Sequence, residues 1–345
     1  MTVLTVDSIK ELSRRCSPSV CFNSSPRMVV AFSGDTTRLS YWLTWDFLLC
    51  LSSVFTSTIT ASILIWKYEG SDNTERASSL YDGESWMPCL KGLSPFWLMG
   101  FRMIAFCLIL AASIADVATH GTNLFYYYTQ WTLILTTIYF LFGSVVSASG
   151  CFRKDKKKIY NAHRKDMIDT EQGIGIYMPL NHEVNLQEEC YFSQTAAIWG
   201  YIFQIVFQIT AGAVMLTDGV YWLVIFPFIS ISDYEMSLLT VVVHSLNLVL
   251  VLGDTAMNSL RFPWFRISYF ILFTVLYVIF EWIVHAFVET WWPYPFLDVS
   301  APYAPMWYWM VAVLHLPCYA LFALFVKTKY TVLSGWFPES YQCLR

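Results

Sequence analysis

Seven apolar runs punctuate this 345-residue chain, at 47–66, 98–117, 130–149, 195–216, 237–252, 267–288 and 306–325. A helix rises about 1.5 Å per residue, so about 20 apolar residues cross hydrocarbon roughly 30 Å thick. Most of the runs reach that length, and only the fifth falls short. Backbone polar groups in lipid must be satisfied internally, so each run is predicted to be a helix. The fold class is an all-α polytopic transmembrane helical bundle with seven spans, or six if the first run does not cross. Charged residues make up 13% of the chain and apolar residues 56%, with 15 Trp, 21 Tyr and 26 Phe to supply interfacial belts. Such a chain leaves no room for a separate soluble catalytic domain. It also lacks a basic tract of the size nucleic acid requires.

The connections divide by charge. Residues 118–129, 217–236 and 289–305 carry no Lys or Arg. The alternate set carries Lys67, Arg76 and Lys91; Arg153, Lys154, Lys156, Lys157, Lys158, Arg164 and Lys165; Arg261 and Arg266; and Lys327, Lys329 and Arg345. The positive-inside rule places this second set in the cytoplasm. Residues 1–46 read as a disordered leader, 47–326 as the bundle with a charged cytoplasmic loop at 150–194, and 327–345 as a cytoplasmic tail. The leader, on the outer side with seven spans, offers a sequon at Asn23. Cys151, beside Arg153 and Lys154, suits palmitoylation. The nine cysteines form no C-x-x-C pair and no zinc-ribbon spacing. Tyr221–Ile229 is apolar but short and interrupted by Pro227, as in an interfacial or re-entrant segment.

Ionisable groups within lipid are costly and mark function or helix contacts. Counting residues from the span ends puts His244, Glu281, His285, His315, Asp116 and Thr129 in the outer half of the bilayer. They are read as one outward polar pocket, with separately satisfied interhelical contacts as the competing reading. Glu281 and His285, four apart, share a helix face. Arg102, Asp254 and Asn258 occupy the cytoplasmic half and are predicted to form a structural ion pair or to snorkel. Thr129, Thr132 and Thr136 follow at helical spacing. A threonine hydroxyl beside a neutral imidazole is a nucleophile with its base, suited to ester hydrolysis, although membrane threonines commonly bond the preceding turn's carbonyl. Three histidines with a carboxylate would also suit zinc, but no H-E-x-x-H motif is present. Haem ligation has no further support, and the D-R-Y-like and N-P-x-x-Y triplets of seven-span receptors are absent.

The stretch YVIFEWIVHAFVETWWPYPFLDVSAP (277–302) resembles the androgen-induced gene product family of membrane hydrolases, which carries a histidine, then tryptophan, then Y-P-F-L. VHSLNLVLVLGD (243–254), which includes Asn247, is similar to that family's histidine-bearing helix. Tyr127-Tyr128-Thr129-Gln130-Trp131 is similar to its aromatic-x-Thr stretch and closer still to the L-T-N-W form of the related rolling stone proteins. The likeness covers about 98–325, and the extra N-terminal helix and long charged loop look like the rolling stone branch and its plant relatives. It implies hydrolysis of fatty acyl esters in the outer half of the bilayer, with Thr129 as nucleophile and His244 as base. His285, Glu281, His315, Asn247 and Asp116 would be pocket residues. The rolling stone branch implies instead a non-catalytic multi-pass protein in adhesion, fusion or scaffolding. A zinc-dependent membrane hydrolase is a third reading. No cofactor and no metal ligand set is assigned, and membrane lipid is the expected partner, as substrate or solvent.

Overall fold

The computed structural model describes residues 35–69, 82–171, 198–229, 238–288 and 290–343. The described residues are helical, with nine α-helices: α1 (Leu39–Trp42), α2 (Trp45–Glu69), α3 (Pro95–His120), α4 (Tyr128–Glu171), α5 (Ile198–Val220), α6 (Leu238–Val243), α7 (Leu246–Met257), α8 (Ile267–Phe287) and α9 (Ala304–Trp336). Seven segments are long and apolar enough to cross a membrane, α6 and α7 together supplying one of them. The chain is an integral, multi-pass membrane protein.

The first run is a full span. Phe47 of α2 packs edge-on against Trp282 at one end, and Glu69 pairs with Arg266 at 2.6 Å at the other. α2 therefore lies along α8 for its whole length, and it also packs on α9. The outer ends are closed by aromatic rings. Trp42 meets Trp292, Tyr127 meets Trp291 and Tyr294, and Tyr41 donates to Asp298 at 2.6 Å. Part of the expected leader is thus ordered: residues from 35 onward pack on the bundle, whereas 1–34, with Asn23, lie outside the described residues.

α5 is the central helix, touching α4, α7, α8 and α9. Its middle is small (Ala211-Gly212-Ala213), which lets neighbours approach closely, as membrane packing without a hydrophobic drive between helices requires. A Cβ on Gly212 would fall 2.5 Å from Phe270 of α8. α4 does not stop at the membrane face. It continues through the basic run to Glu171, where a charged loop was expected, because 151–171 holds neither Pro nor Gly and is rich in Lys and Arg, both good helix formers. Gly150, at the exit point, accommodates the ring of Trp86, which a Cβ would meet at 2.2 Å. Cys151 is buried beside Trp86 and Met87. The last helix also runs past its expected end, to Trp336.

The buried charges at the basic end of the bundle form one lock. Arg102 of α3 bonds Asp254 of α7, Nε to Oδ1 at 2.7 Å, with both side chains wholly buried. Its Nη1 donates to Ser147 Oγ at 2.6 Å and to the Ser85 carbonyl at 2.9 Å. Asp254 also accepts from Asn258 Nδ2 at 2.8 Å and from the Tyr139 hydroxyl. The predicted structural ion pair is therefore the observed one, and it is buried among helices rather than snorkelled to water. Lys329 of α9 donates to the carbonyls of Thr255 and Asn258 at 3.0 and 2.9 Å, closing the C-terminus of α7.

Candidate functional site

Among the described residues a threonine and a histidine meet near the middle of the bundle. Thr274 lies seven residues into α8 and His315 eleven residues into the antiparallel α9. At about 1.5 Å per residue, Thr274 stands about 20 Å below the outer end of α8 and His315 about 16 Å below that of α9. His315 Nε2 is 2.8 Å from Thr274 Oγ1. His315 Nδ1 lies 2.8 Å from the Val311 carbonyl one turn earlier. A carbonyl only accepts, so Nδ1 carries the hydrogen. In the neutral ring Nε2 is then an acceptor, and the Thr274 hydroxyl is the donor to it. Tyr128 of α4 brings its hydroxyl to 2.9 Å from Thr274 Oγ1. With the threonine hydrogen committed to His315, Tyr128 is the donor there. Phe270, one turn from Thr274, lies against the imidazole at 4.4 Å and fixes its plane. Thr274 Oγ1 is also 3.4 Å from the Phe270 carbonyl, a weaker alternative acceptor than the imidazole.

This pair lines a narrow cleft of about 60 Å³ between α2, α8 and α9. Ser53 and Ser57 form one wall, Val278 and Val311 flank the pair, and Phe296, Leu297 and Trp307 stand toward its outer end. The walls are chiefly apolar, and the outward faces of α2 and α9 present Phe55, Val313 and Leu316 to lipid. The Thr274 hydroxyl and the His315 ring, with Ser53 and Ser57, are polar groups on its wall. What this geometry supplies is a threonine oxygen whose proton already points at a base oriented by a third group.

The residues singled out in the sequence are dispersed. Thr129, half-buried in the first turn of α4, turns its hydroxyl toward Tyr294. Burial pushes that phenol up to about 12, the Thr129 hydroxyl pulling the other way. His244 sits where one span breaks between α6 and α7. Its ring stacks on Tyr221 at 3.6 Å, and its carbonyl accepts from Trp222 Nε1 at 2.8 Å. Among the described residues no hydrogen bond or ring contact joins Thr129 to His244. Asn247 folds back to the Val243 carbonyl at 3.1 Å. Asp116 is held by His120 at 2.9 Å and by Gln130. Glu281 and His285 share a face as expected, 3.7 Å apart and fully buried, with His285 stacked on Trp292 at 3.7 Å. Among the described residues, of His244, His285 and His315 only His315 bonds a threonine. Thr132 and Thr136 bond the preceding turn's carbonyls at 3.1 and 2.8 Å. Among the described residues no three of His, Cys, Asp and Glu stand close enough to hold a metal ion.

Thr274 and Tyr128 were missed as site residues. Depth counting was applied to the ionisable groups and Thr129, whereas the same count along the sixth run brings Thr274 to within about 8 Å of the level of His315. Tyr128 stood inside the aromatic-x-Thr stretch with nothing to mark its phenol as inward. Tyr221–Ile229 continues α5 as a π-helix with Pro227 inside it, where an interfacial or re-entrant segment was expected. No family model, curated protein or solved structure matches this chain.

Proposed function

We propose that this membrane protein hydrolyses fatty acyl esters within the bilayer, with Thr274 as nucleophile and His315 as its base. The observation that carries the reading is the 2.8 Å bond from Thr274 to an imidazole whose tautomer is fixed by Val311, on the wall of a lipid-side apolar cleft. Thr274 Oγ1 attacks the ester carbonyl carbon as its proton passes to His315 Nε2. The ester C–O bond breaks, and the leaving alkoxide takes that proton. Water, with His315 again as base, then cleaves the acyl-threonine and restores the hydroxyl. Tyr128 donates a second hydrogen bond to the threonine oxygen at 2.9 Å. The cleft receives the chain without asking the ester to leave the membrane. The threonine–histidine chemistry is that of the androgen-induced family, but on a different pair from the Thr129 and His244 that the resemblance implies.

The test is covalent labelling of purified protein in lipid nanodiscs with an alkyl fluorophosphonate. Wild-type protein and Thr274→Ser are expected to label, Thr274→Val and His315→Gln to lose the label, and Thr129→Val to keep it. Labelling that survives Thr274→Val and vanishes in Thr129→Val or His244→Ala transfers the role to the resemblance-implied pair. Wild-type protein that neither labels nor releases fatty acid from esters removes the hydrolase reading altogether. What then stands is the multi-pass adhesion or scaffold protein.

A further inference from the structure

Cys89 and Cys343 are joined by a disulfide, their Cα atoms 5.2 Å apart and 254 residues apart in sequence. The bond lies at the bundle end that carries the basic connections. Cys89 belongs to the strap 82–91 between α2 and α3, and Cys343 to the segment that follows α9. The strap is anchored independently of the disulfide. Its Ser85 carbonyl accepts from Arg102, Glu84 pairs with Arg261 at 2.6 Å, and the Cys89 amide donates to the Met257 carbonyl at 2.9 Å. The segment after α9 meets the strap through backbone and amide hydrogen bonds. Lys91 N donates to the Ser340 carbonyl at 2.7 Å, Gln342 N to the Cys89 carbonyl at 3.0 Å, and Gln342 Nε2 to the Pro88 carbonyl at 2.8 Å. Among the described residues the segment meets the strap through a single isolated bridge, Leu90 with Tyr341, and the covalent bond adds the one link between them that does not depend on solvent-competing hydrogen bonds.

The charge pattern sets the chemistry of this face. Lys67, Lys91, Lys154, Arg261 and Lys327 all belong to this end, whereas the connections at the opposite end, 118–129, 217–236 and 289–305, hold no Lys or Arg. That asymmetry turns the disulfide toward the cytosol, where glutathione keeps most thiols reduced and the disulfides that form are transient or regulatory.

We infer that Cys89 and Cys343 are a reversible thiol–disulfide site for glutathione-class thiols, whose closed form fastens the segment after α9 to the strap. On opening, one glutathione thiolate attacks the protein disulfide to give a mixed disulfide and one protein thiol. A second glutathione thiolate then releases the other protein thiol. Two electrons pass from two glutathione thiols to the cysteine pair, leaving glutathione disulfide, and oxidation by glutathione disulfide reverses every step. The segment after α9 undocks, while the strap keeps its grip on Arg102 and Arg261.

The test equilibrates the full-length protein in nanodiscs with buffers of graded reduced-to-oxidised glutathione ratio. Cys89 and Cys343 are read by differential alkylation and mass spectrometry, and hydrogen exchange is followed at the Lys91 and Gln342 amides. The expected result is a reversible transition within the range of cytosolic ratios, with at least tenfold faster exchange at both amides in the reduced protein and in Cys343→Ser. In intact cells a membrane-permeant maleimide is expected to trap the pair as thiols, and pretreatment with diamide to prevent it. A bond that resists cytosolic ratios, a pair found oxidised in untreated cells, or reduction that leaves exchange at Lys91 and Gln342 unchanged would each overturn the inference. Should Cys343→Ser fail to fold, the reduced wild-type protein gives the same readout.

Discussion

Replacing Asp254 by Asn leaves the Arg102 guanidinium buried without a counter-charge. Both side chains are wholly buried, and the pair is held at 2.7 Å by Nε and more loosely, at 3.4 Å, by Nη2. Arg102 keeps Ser147 Oγ, the Ser85 carbonyl and the ring of Phe203, 5.0 Å from its guanidinium carbon. Those dipoles offset only part of a charge removed from water. Breaking such a pair by removing one partner costs about 3–5 kcal/mol, a large share of the roughly 5–15 kcal/mol that holds a domain together. Removing both charges, as Arg102→Met with Asp254→Leu, has a different ledger. Neither member of the pair remains charged, and the loss falls on the orphaned Ser85 carbonyl, Ser147 hydroxyl, Tyr139 hydroxyl and Asn258 amide, at about 1–3 kcal/mol for each that finds no new partner. The double variant is therefore expected to recover at least ~2 kcal/mol relative to the sum of the two singles. Equilibrium unfolding in mixed micelles, followed by Trp fluorescence, measures the four corners of the cycle. Additivity within ~0.5 kcal/mol would refute the claim that the two charges neutralise one another in the fold.

Gly212→Ala forces a methyl into the Phe270 ring and is expected to destabilise by about 1–3 kcal/mol, whereas Gly100→Ala, with nothing within 4 Å of the added carbon, should be neutral or stabilising in the same unfolding assay. Tyr128→Phe removes one hydroxyl from Thr274 and should slow fluorophosphonate labelling about two- to tenfold without abolishing it; an unchanged rate would remove Tyr128 from the site. The Tyr294 phenol sits near 12 in the fold against an ordinary value of about 10. The protonated phenol is thus favoured by folding, and that contribution is complete below pH about 10 and disappears as pH rises through about 12. The thermal midpoint should fall over that window less steeply in Tyr294→Phe than in wild type.

Hydropathy located all seven crossings, because lipid leaves the backbone no alternative to the helix, but it misjudged where helices end. α4 and α9 run on beyond their apolar stretches because leaving the membrane removes hydrocarbon, not helix propensity. Depth counting found the right layer for Arg102 and Asp254, and their pairing then needed only neighbouring helices. The same counting grouped His244, Glu281, His285 and Asp116 by height alone. Height along a helix says nothing about azimuth, and in the fold His244 faces Tyr221, Asp116 faces Gln130, and only Glu281 and His285, already placed on one face by their spacing of four, stay together.

Periodicity, span length and loop charge are local properties, so the sequence by itself determined a seven-crossing helical membrane protein and which of its ends carries the basic residues. Which imidazole meets which hydroxyl depends on helix rotation and on the small residues of α5 that set how closely its neighbours approach. Only the tertiary structure decided that, by bringing His315 to Thr274 across two antiparallel helices and Cys343 to Cys89 across most of the chain.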